Sequence, residues 1–185
     1  MTLRDIRSGG GEPDLPGAAP TRVLAGRLAG TLCAVDLASV QEVRPWVPLE
    51  AVPEAPPFLL GVLALRGHVV PVLRLGPASP ATPQRLVVAR RADDAWLGLA
   101  FEEIRGIRRV SAGMFRPRPP GGDKLYPRYL AGWIEDGADL LSLIAPERLL
   151  ADAEEAGMVD WFGPLAERLA DRPESRPPGP GRRAP

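Results

Sequence analysis

The sequence predicts a mainly β protein of many short strands, arranged as a barrel or a sandwich. Short apolar runs rich in Val, Leu and Ile follow one another, and Gly, Pro or Asp stands between them. Turn-like sequences such as EDGAD at 135–139 join neighbouring runs as hairpins would. Long helical periodicity is absent until about residue 153, so we expect strands to build the core.

Two internal matches predict that the chain contains two similar β units. The apolar spacing within 35–43 recurs 64 residues later, within 99–107. The segment FLLGVL at 58–63 aligns with YLAGWI at 129–134, 71 residues later, through a shared aromatic-Leu-x-Gly pattern. Because each unit is too small for an independent core, the two should pack on each other and fold as one domain.

Both ends of the chain are rich in Pro and Gly and are predicted to be disordered tails, since they cannot bury enough apolar surface to offset the entropy of ordering. The segment DAEEAGMVDWFGPLAERLAD is predicted to be helical, and two interpretations stay open: docking on the protein's own β core, or a detachable partner-binding helix. The predicted organisation is a tail at 1–20, a core domain at 21–151 with subdomains of about 22–75 and 85–150, a helical extension at 152–171 and a tail at 172–185.

Composition and charge narrow the class of protein. Apolar residues make up 45% of the chain and charged residues 25%, which is globular composition. The 23 basic and 23 acidic residues cancel, which disfavours a nucleic-acid binder. The sequence has neither a transmembrane run nor a secretory signal, and its single cysteine, Cys33, is expected to be a buried core residue. These features predict a cytoplasmic protein without direct membrane insertion.

No motif in the sequence indicates catalysis, a cofactor or a metal site. His68 is the only histidine, and we expect it to be an isolated, exposed turn residue. Metal-ligand and phosphate-loop patterns are missing. The arginines of 105–118 are interpreted as outward strand positions balanced by nearby acids. The alternative is a small β-barrel module that binds a ligand or nucleic acid through those arginines.

The segment FLLGVLALRGHVVPVLRL at 58–75 resembles the most recognisable part of the chemotaxis coupling protein family, CheW. Three further stretches are similar to family segments and occur in the same order. They are LCAVDLASVQEVRPW at 32–46, LGLAFEEIRGIRRV at 97–110 and YLAGWIEDGADLLSLIAPERLL at 129–150. The combination of these stretches is specific to the family.

This resemblance implies two five-stranded, SH3-like β-barrels that share one core. It also implies a non-enzymatic adaptor that couples chemoreceptors to a CheA-type histidine kinase in membrane-associated arrays. The expected partners are the cytoplasmic tip of a methyl-accepting chemoreceptor and the regulatory domain of the kinase, with no nucleic acid.

Residues carried over from the family predict a partner-binding site at Val40, Glu42, Gly61, Arg66 and Gly67. An arginine can supply bidentate hydrogen bonds to a partner beside apolar contacts. Purely structural roles stay open for Val40, Glu42 and Arg66. The matching second hairpin reads EDG where the first reads LRG, so hairpin architecture itself does not require Arg66.

Three positions depart from the family pattern. Ala64 stands where relatives have Asn, Arg74 where they have Asp, and Glu102 where they have Asp. Because the change at Arg74 reverses the charge, we expect a salt bridge made there by relatives to be absent or rebuilt.

Overall fold

A computed structural model describes residues 21–76, 81–90, 95–119 and 129–149, and these form a mainly β structure as predicted. Two short 3₁₀ turns accompany the strands, at Ala112–Met114 and Pro146–Arg148. The strands are β1 Arg22–Leu28, β2 Thr31–Asp36, β3 Val40–Pro45, β4 Leu59–Leu65, β5 His68–Leu73, β6 Arg85–Arg90, β7 Trp96–Phe101, β8 Glu103–Arg109, β9 Phe115–Pro117, β10 Leu130–Asp136 and β11 Asp139–Ile144.

The strands form two sheets that repeat one pairing scheme. The six-stranded sheet has the order β8-β1-β2-β11-β10-β9, and the five-stranded sheet has the order β3-β6-β7-β5-β4. When the first five strands of each order are compared, the third and fourth strands pair in parallel and all other neighbours pair antiparallel. The duplication seen in the sequence therefore corresponds to equivalent strand positions, with β9 as an addition to one sheet.

The strands group differently from the predicted subdomains 22–75 and 85–150. Strands β1 and β2 pair with β8 and β11, whereas β6 and β7 pair with β3 and β5. The segments 35–43 and 99–107, which match in sequence, are the two places where the chain passes from one sheet to the other. Apolar runs predict that strands exist, but long-range pairing decides which sheet each strand joins.

The two sheets share a core. One buried cluster contains Leu24 and Val35 from the six-stranded sheet and Leu73 and Leu99 from the five-stranded sheet. Cys33 is buried in the same cluster, which confirms the sequence interpretation. Each sheet also has a cluster of its own, which includes Ile134 in the six-stranded sheet and Leu63 in the five-stranded sheet. Burial of this apolar surface is the main force that holds the sheets together.

In both copies of the aromatic-Leu-x-Gly pattern, the structure explains why the last residue is glycine. Gly61 and Gly132 each follow a register shift in their hairpin. A side chain at Gly61 would place Cβ 2.6 Å from the Glu50 carbonyl oxygen, and Gly61 has a φ of 147° that L residues rarely adopt. A Cβ at Gly132 would overlap the Arg116 carbonyl oxygen. Both bulges therefore bring another backbone segment too close for any side chain.

The remaining sequence predictions concern the ends of the chain. The predicted tails and the predicted helical extension at 152–171 lie outside the described residues. Within the described ranges, no helix has the length and apolar character needed to cross a membrane.

Candidate partner-binding site

The hairpin turn between β4 and β5 projects Arg66 and Gly67 into solvent. Leu65 pairs with His68, so the connection has only two residues, and both have positive φ, 49° for Arg66 and 77° for Gly67. Two-residue turns of this kind match the twist of the flanking strands, and they favour Asn or Gly at the first central position. Arg66 is therefore held in an uncommon conformation for a bulky residue. In the second hairpin Asp136 pairs with Asp139, so the position equivalent to Arg66 is Gly137, with a φ of 65°. The comparison of LRG with EDG in the sequence was therefore shifted by one residue.

An ion pair joins this turn to the opposite edge of the same sheet. The Arg66 guanidinium lies 2.7 Å from a carboxylate oxygen of Glu42. Glu42 lies in β3 and the turn follows β4, and these strands are the two edges of the five-stranded sheet. The sheet must therefore curl until its edges come together. Glu42 also lies 3.6 Å from the Arg44 guanidinium, so one carboxylate faces two cations.

The exposure of this pair is uneven. The Glu42 side chain is 20% exposed, whereas the Arg66 side chain is 66% exposed. Arg66 carries five N–H donors in a planar fork, and most of its side chain is accessible to water. A carboxylate or carbonyl of a partner can therefore approach Arg66 from the solvent side while Glu42 orients the guanidinium from below.

The structure brings together three of the five predicted site residues. Glu42, Arg66 and Gly67 form one continuous edge and turn. Val40 begins the same edge strand, where its half-buried side chain packs against the shared core. Gly61 is buried near the far end of β4, so it can contribute to binding only by positioning the hairpin.

Two neighbouring features were missed by reasoning from the sequence. Arg44 lies close to Glu42, which the i, i+2 spacing on one strand could have indicated. His68 was expected to be isolated, and this was wrong: its ring stacks on Trp96 with a centroid distance of 4.2 Å and an interplanar angle of 13°. The two residues belong to different strands 28 positions apart, so no local pattern could have paired them.

Two of the departures from the family pattern, Arg74 and Glu102, make hydrogen bonds to the backbone. The Arg74 guanidinium donates a hydrogen bond to the Pro57 carbonyl at 2.7 Å. The Glu102 carboxylate accepts a hydrogen bond from the backbone N–H of Gly30 at 3.1 Å. Arg74 thus ties the end of β5 to the segment before β4.

Several arginines of 105–118 are balanced by acids, as the sequence analysis expected. Arg105 pairs with Glu103 at 3.4 Å, and Arg116 pairs with Glu135 at 2.9 Å. Arg108 lies 3.5 Å from Asp136. This pairing reduces the positive field that a nucleic-acid surface would need.

These observations describe a curled β frame that presents an ion-paired arginine on an exposed turn. In the part of the chain that the structure describes, no group of His, Cys, Asp and Glu side chains could hold a metal ion. The family model for the CheW-like domain matches residues 22–154, and the chain belongs to that family.

Individual relatives agree with this assignment. The chain is 29% identical over 138 residues to the Rhizobium etli protein "Probable chemotaxis protein CheW", covering 71% of this chain and 88% of that protein. It is 28% identical to the chemotaxis protein CheW of Klebsiella aerogenes, over 68% of this chain and 78% of that protein. The crystal structure of the scaffolding protein TtCheW from Thermoanaerobacter tengcongensis has the same fold, with a TM-score of 0.59 and 22% identity over 68% of this chain and 89% of that chain.

Proposed function

We propose that this chain is a coupling adaptor in chemotaxis, which joins chemoreceptors to a CheA-type histidine kinase through protein contacts and not through catalysis. Family membership and the chemotaxis relatives support this role. The observation that carries the mechanism is the exposed Arg66 guanidinium, held by Glu42 at 2.7 Å.

The proposed partners are the cytoplasmic tip of a methyl-accepting chemoreceptor and the regulatory domain of the kinase. The adaptor would then work in the cytoplasm, at membrane-associated receptor arrays. Binding requires a rigid surface, because every group that must be ordered on association weakens the complex. The equivalent pairing of five strands in each sheet supports a finer proposal: both sheets form SH3-like barrels on a shared core.

We assign different roles to the residues of the site. Arg66 supplies hydrogen bonds to the partner, and Glu42 positions its guanidinium. Gly67 permits the tight turn, because its φ of 77° suits glycine. Val40 anchors the edge strand to the core, and Gly61 keeps the hairpin close to the Glu50 backbone.

Truncation of Arg66 tests this proposal. We expect Arg66→Ala to fold cooperatively and to bind the kinase regulatory domain or the receptor tip at least about 10-fold more weakly, as a central anchor should. Titration calorimetry with each purified partner fragment measures the dissociation constant.

The matched control is Arg116→Ala, which removes a comparably exposed ion-paired arginine from the other sheet. Its affinity should stay within about 2-fold of the wild type. Equal losses in the two variants would contradict a binding role for Arg66. Loss of cooperative unfolding in Arg66→Ala would instead assign Arg66 to the fold.

A further inference from the structure

Strand β8 is an edge of the six-stranded sheet, and it presents an unusual combination of exposed groups. Ile107 is 56% exposed although it is a large apolar residue. Arg109 is directly opposite Arg22 on β1, so two cations face each other across the strand pair. Like charges in this position repel each other. Among the described residues, neither of these arginines has an ion-pair partner.

These three residues lie on one face of the sheet. Ile107 is paired with Leu24, and directly paired residues share a face. Arg22 is two residues from Leu24 on the same strand and therefore also points to that face. Leu24 belongs to the core shared by both sheets, so Ile107, Arg22 and Arg109 form the margin of that core.

The described chain ends in the core cluster that this margin borders. A row of paired residues runs across the sheet from Ile144 through Val35 and Leu24 to Ile107. Leu149, the last described residue, is buried in the same core cluster as Ile144. Three strand spacings, about 14 Å, separate Ile144 from Ile107 along this row. Ten residues reach about 15 Å as a helix and about 33 Å when extended, so the segment after Leu149 is long enough to span a distance of this size.

The sequence after Leu149 has the complementary chemistry. Between 150 and 166 it carries the acids Asp152, Glu154, Glu155 and Asp160 and no basic residue. Apolar residues stand on both sides of Asp160: Met158 and Val159 before it, and Trp161 and Phe162 after it. An uncovered edge strand is a hazard for pairing with other chains, and proteins commonly cover such edges with their own segments.

We propose that residues 150–162 fold back onto β8, with the carboxylates of this segment opposite Arg22 and Arg109 and its apolar side chains over Ile107. The occupant of this surface is thus the chain's own acidic segment. This intramolecular contact is separate from the partner-binding turn, which lies on the other sheet.

Zero-length carbodiimide coupling of the full-length chain tests the contact, because Lys124 is the only lysine in the sequence. Arg109→Lys adds one amine at the proposed site. We expect an amide within a single molecule between position 109 and one of the acids at 152–160, identified by mass spectrometry. The yield should fall several-fold at 1 M salt, since exposed charge pairs are screened there.

Two controls accompany this experiment. Arg116→Lys places an amine beside Glu135, so it should couple to Glu135 and not to the acidic segment. Neutralising the segment with Asp152→Asn, Glu154→Gln, Glu155→Gln and Asp160→Asn should abolish coupling in the Arg109→Lys chain. It should also raise the hydrogen exchange rate of β8 amides several-fold in the otherwise wild-type chain.

Other outcomes would overturn the proposal. Absence of the 109 amide while Arg116→Lys couples to Glu135 would leave the edge uncovered. Coupling found only in covalent dimers would assign the surface to a second copy. Unchanged exchange of β8 in the neutralised chain would show that the segment does not cover this strand.

Discussion

The hairpins that contain the equivalent glycines Gly61 and Gly132 each take part in an ion pair with an edge strand of their own sheet, and the positions of the positive and negative charges are reversed between the two sheets. In the five-stranded sheet, the turn supplies the cation Arg66 and the edge strand supplies the anion Glu42. In the six-stranded sheet, β10 supplies the anion Asp136 beside the turn, and the edge strand β8 supplies the cation Arg108. The first pair is 2.7 Å apart and the second 3.5 Å. One architecture therefore presents two different charge surfaces.

The difference supports the proposed binding role of Arg66. Arg66 occupies a left-handed conformation that glycine fills in the second hairpin. The hairpin itself does not require an arginine at this position. Backbone strain at a bulky residue that the fold does not require suggests a functional role. The second pair closes its sheet without that strain, and so it serves as the reference for what closure alone requires.

The largest expected effects come from the equivalent core residues Leu63 and Ile134, which are each about 1% exposed. Leu63→Ala and Ile134→Ala should each lower the free energy of unfolding by about 2–5 kcal/mol, through lost apolar burial and the cavity left behind. Chemical denaturation measures both losses. A nearly neutral result for one of them would break the equivalence of the two sheets.

The equivalent glycines should give the next largest effect. Gly61→Ala and Gly132→Ala should each destabilise the protein by about 1–3 kcal/mol, because the added Cβ meets a backbone carbonyl that cannot move easily. Gly113→Ala is the control, since a Cβ there has open space. If all three variants unfold at the same denaturant concentration, the close backbone approach at the two bulges is not required.

Some of this architecture could be predicted from the sequence. Local apolar runs predicted the strands, and the aromatic-Leu-x-Gly pattern predicted two related hairpins, because both signals depend on neighbouring residues. The assignment of β1, β2, β6 and β7 to their sheets depends on pairing between distant segments, which local patterns do not encode. The pairing of Arg66 with Glu42 and the stacking of His68 on Trp96 could not be predicted for the same reason.

The shared core can be probed through its thiol. Burial, followed by the negative charge of Glu102, raises the pKa of Cys33 to about 12 from an ordinary value of 9.0. Above pH 9 the unfolded thiol loses its proton while the folded thiol keeps it, so this group lowers stability as pH rises from 9 towards 12. The decrease should approach about 1.4 kcal/mol per pH unit.

Denaturation of the wild type and of Cys33→Ala between pH 6 and about 10 isolates this contribution. As pH rises, the free energy of unfolding of the wild type should fall relative to that of Cys33→Ala. The same shift should be absent below pH 8. A pH-independent difference would mean that the thiol is accessible to water and that the core between the sheets is open.

The smallest effect on stability is expected from the two closing ion pairs. Arg66→Asn and Asp136→Asn should each change the free energy of unfolding by about 0–1 kcal/mol, because both pairs include well-exposed groups. Asn tolerates the left-handed conformation of the first turn, so Arg66→Asn tests the charge without adding strain. A loss several times larger for Arg66→Asn would mean that the first pair is chiefly structural.

A charge exchange across the first pair tests the central claim most directly. The double variant Glu42→Arg with Arg66→Glu can keep an internal ion pair while it reverses the charges that a partner meets. We predict that the double variant still unfolds cooperatively and binds the kinase regulatory domain or the receptor tip at least about 10-fold more weakly in calorimetry. The matched exchange Arg108→Asp with Asp136→Arg should leave that affinity within about 2-fold of the wild type. Wild-type affinity in the Glu42–Arg66 exchange would contradict the account, because it would show that the pair only closes the sheet.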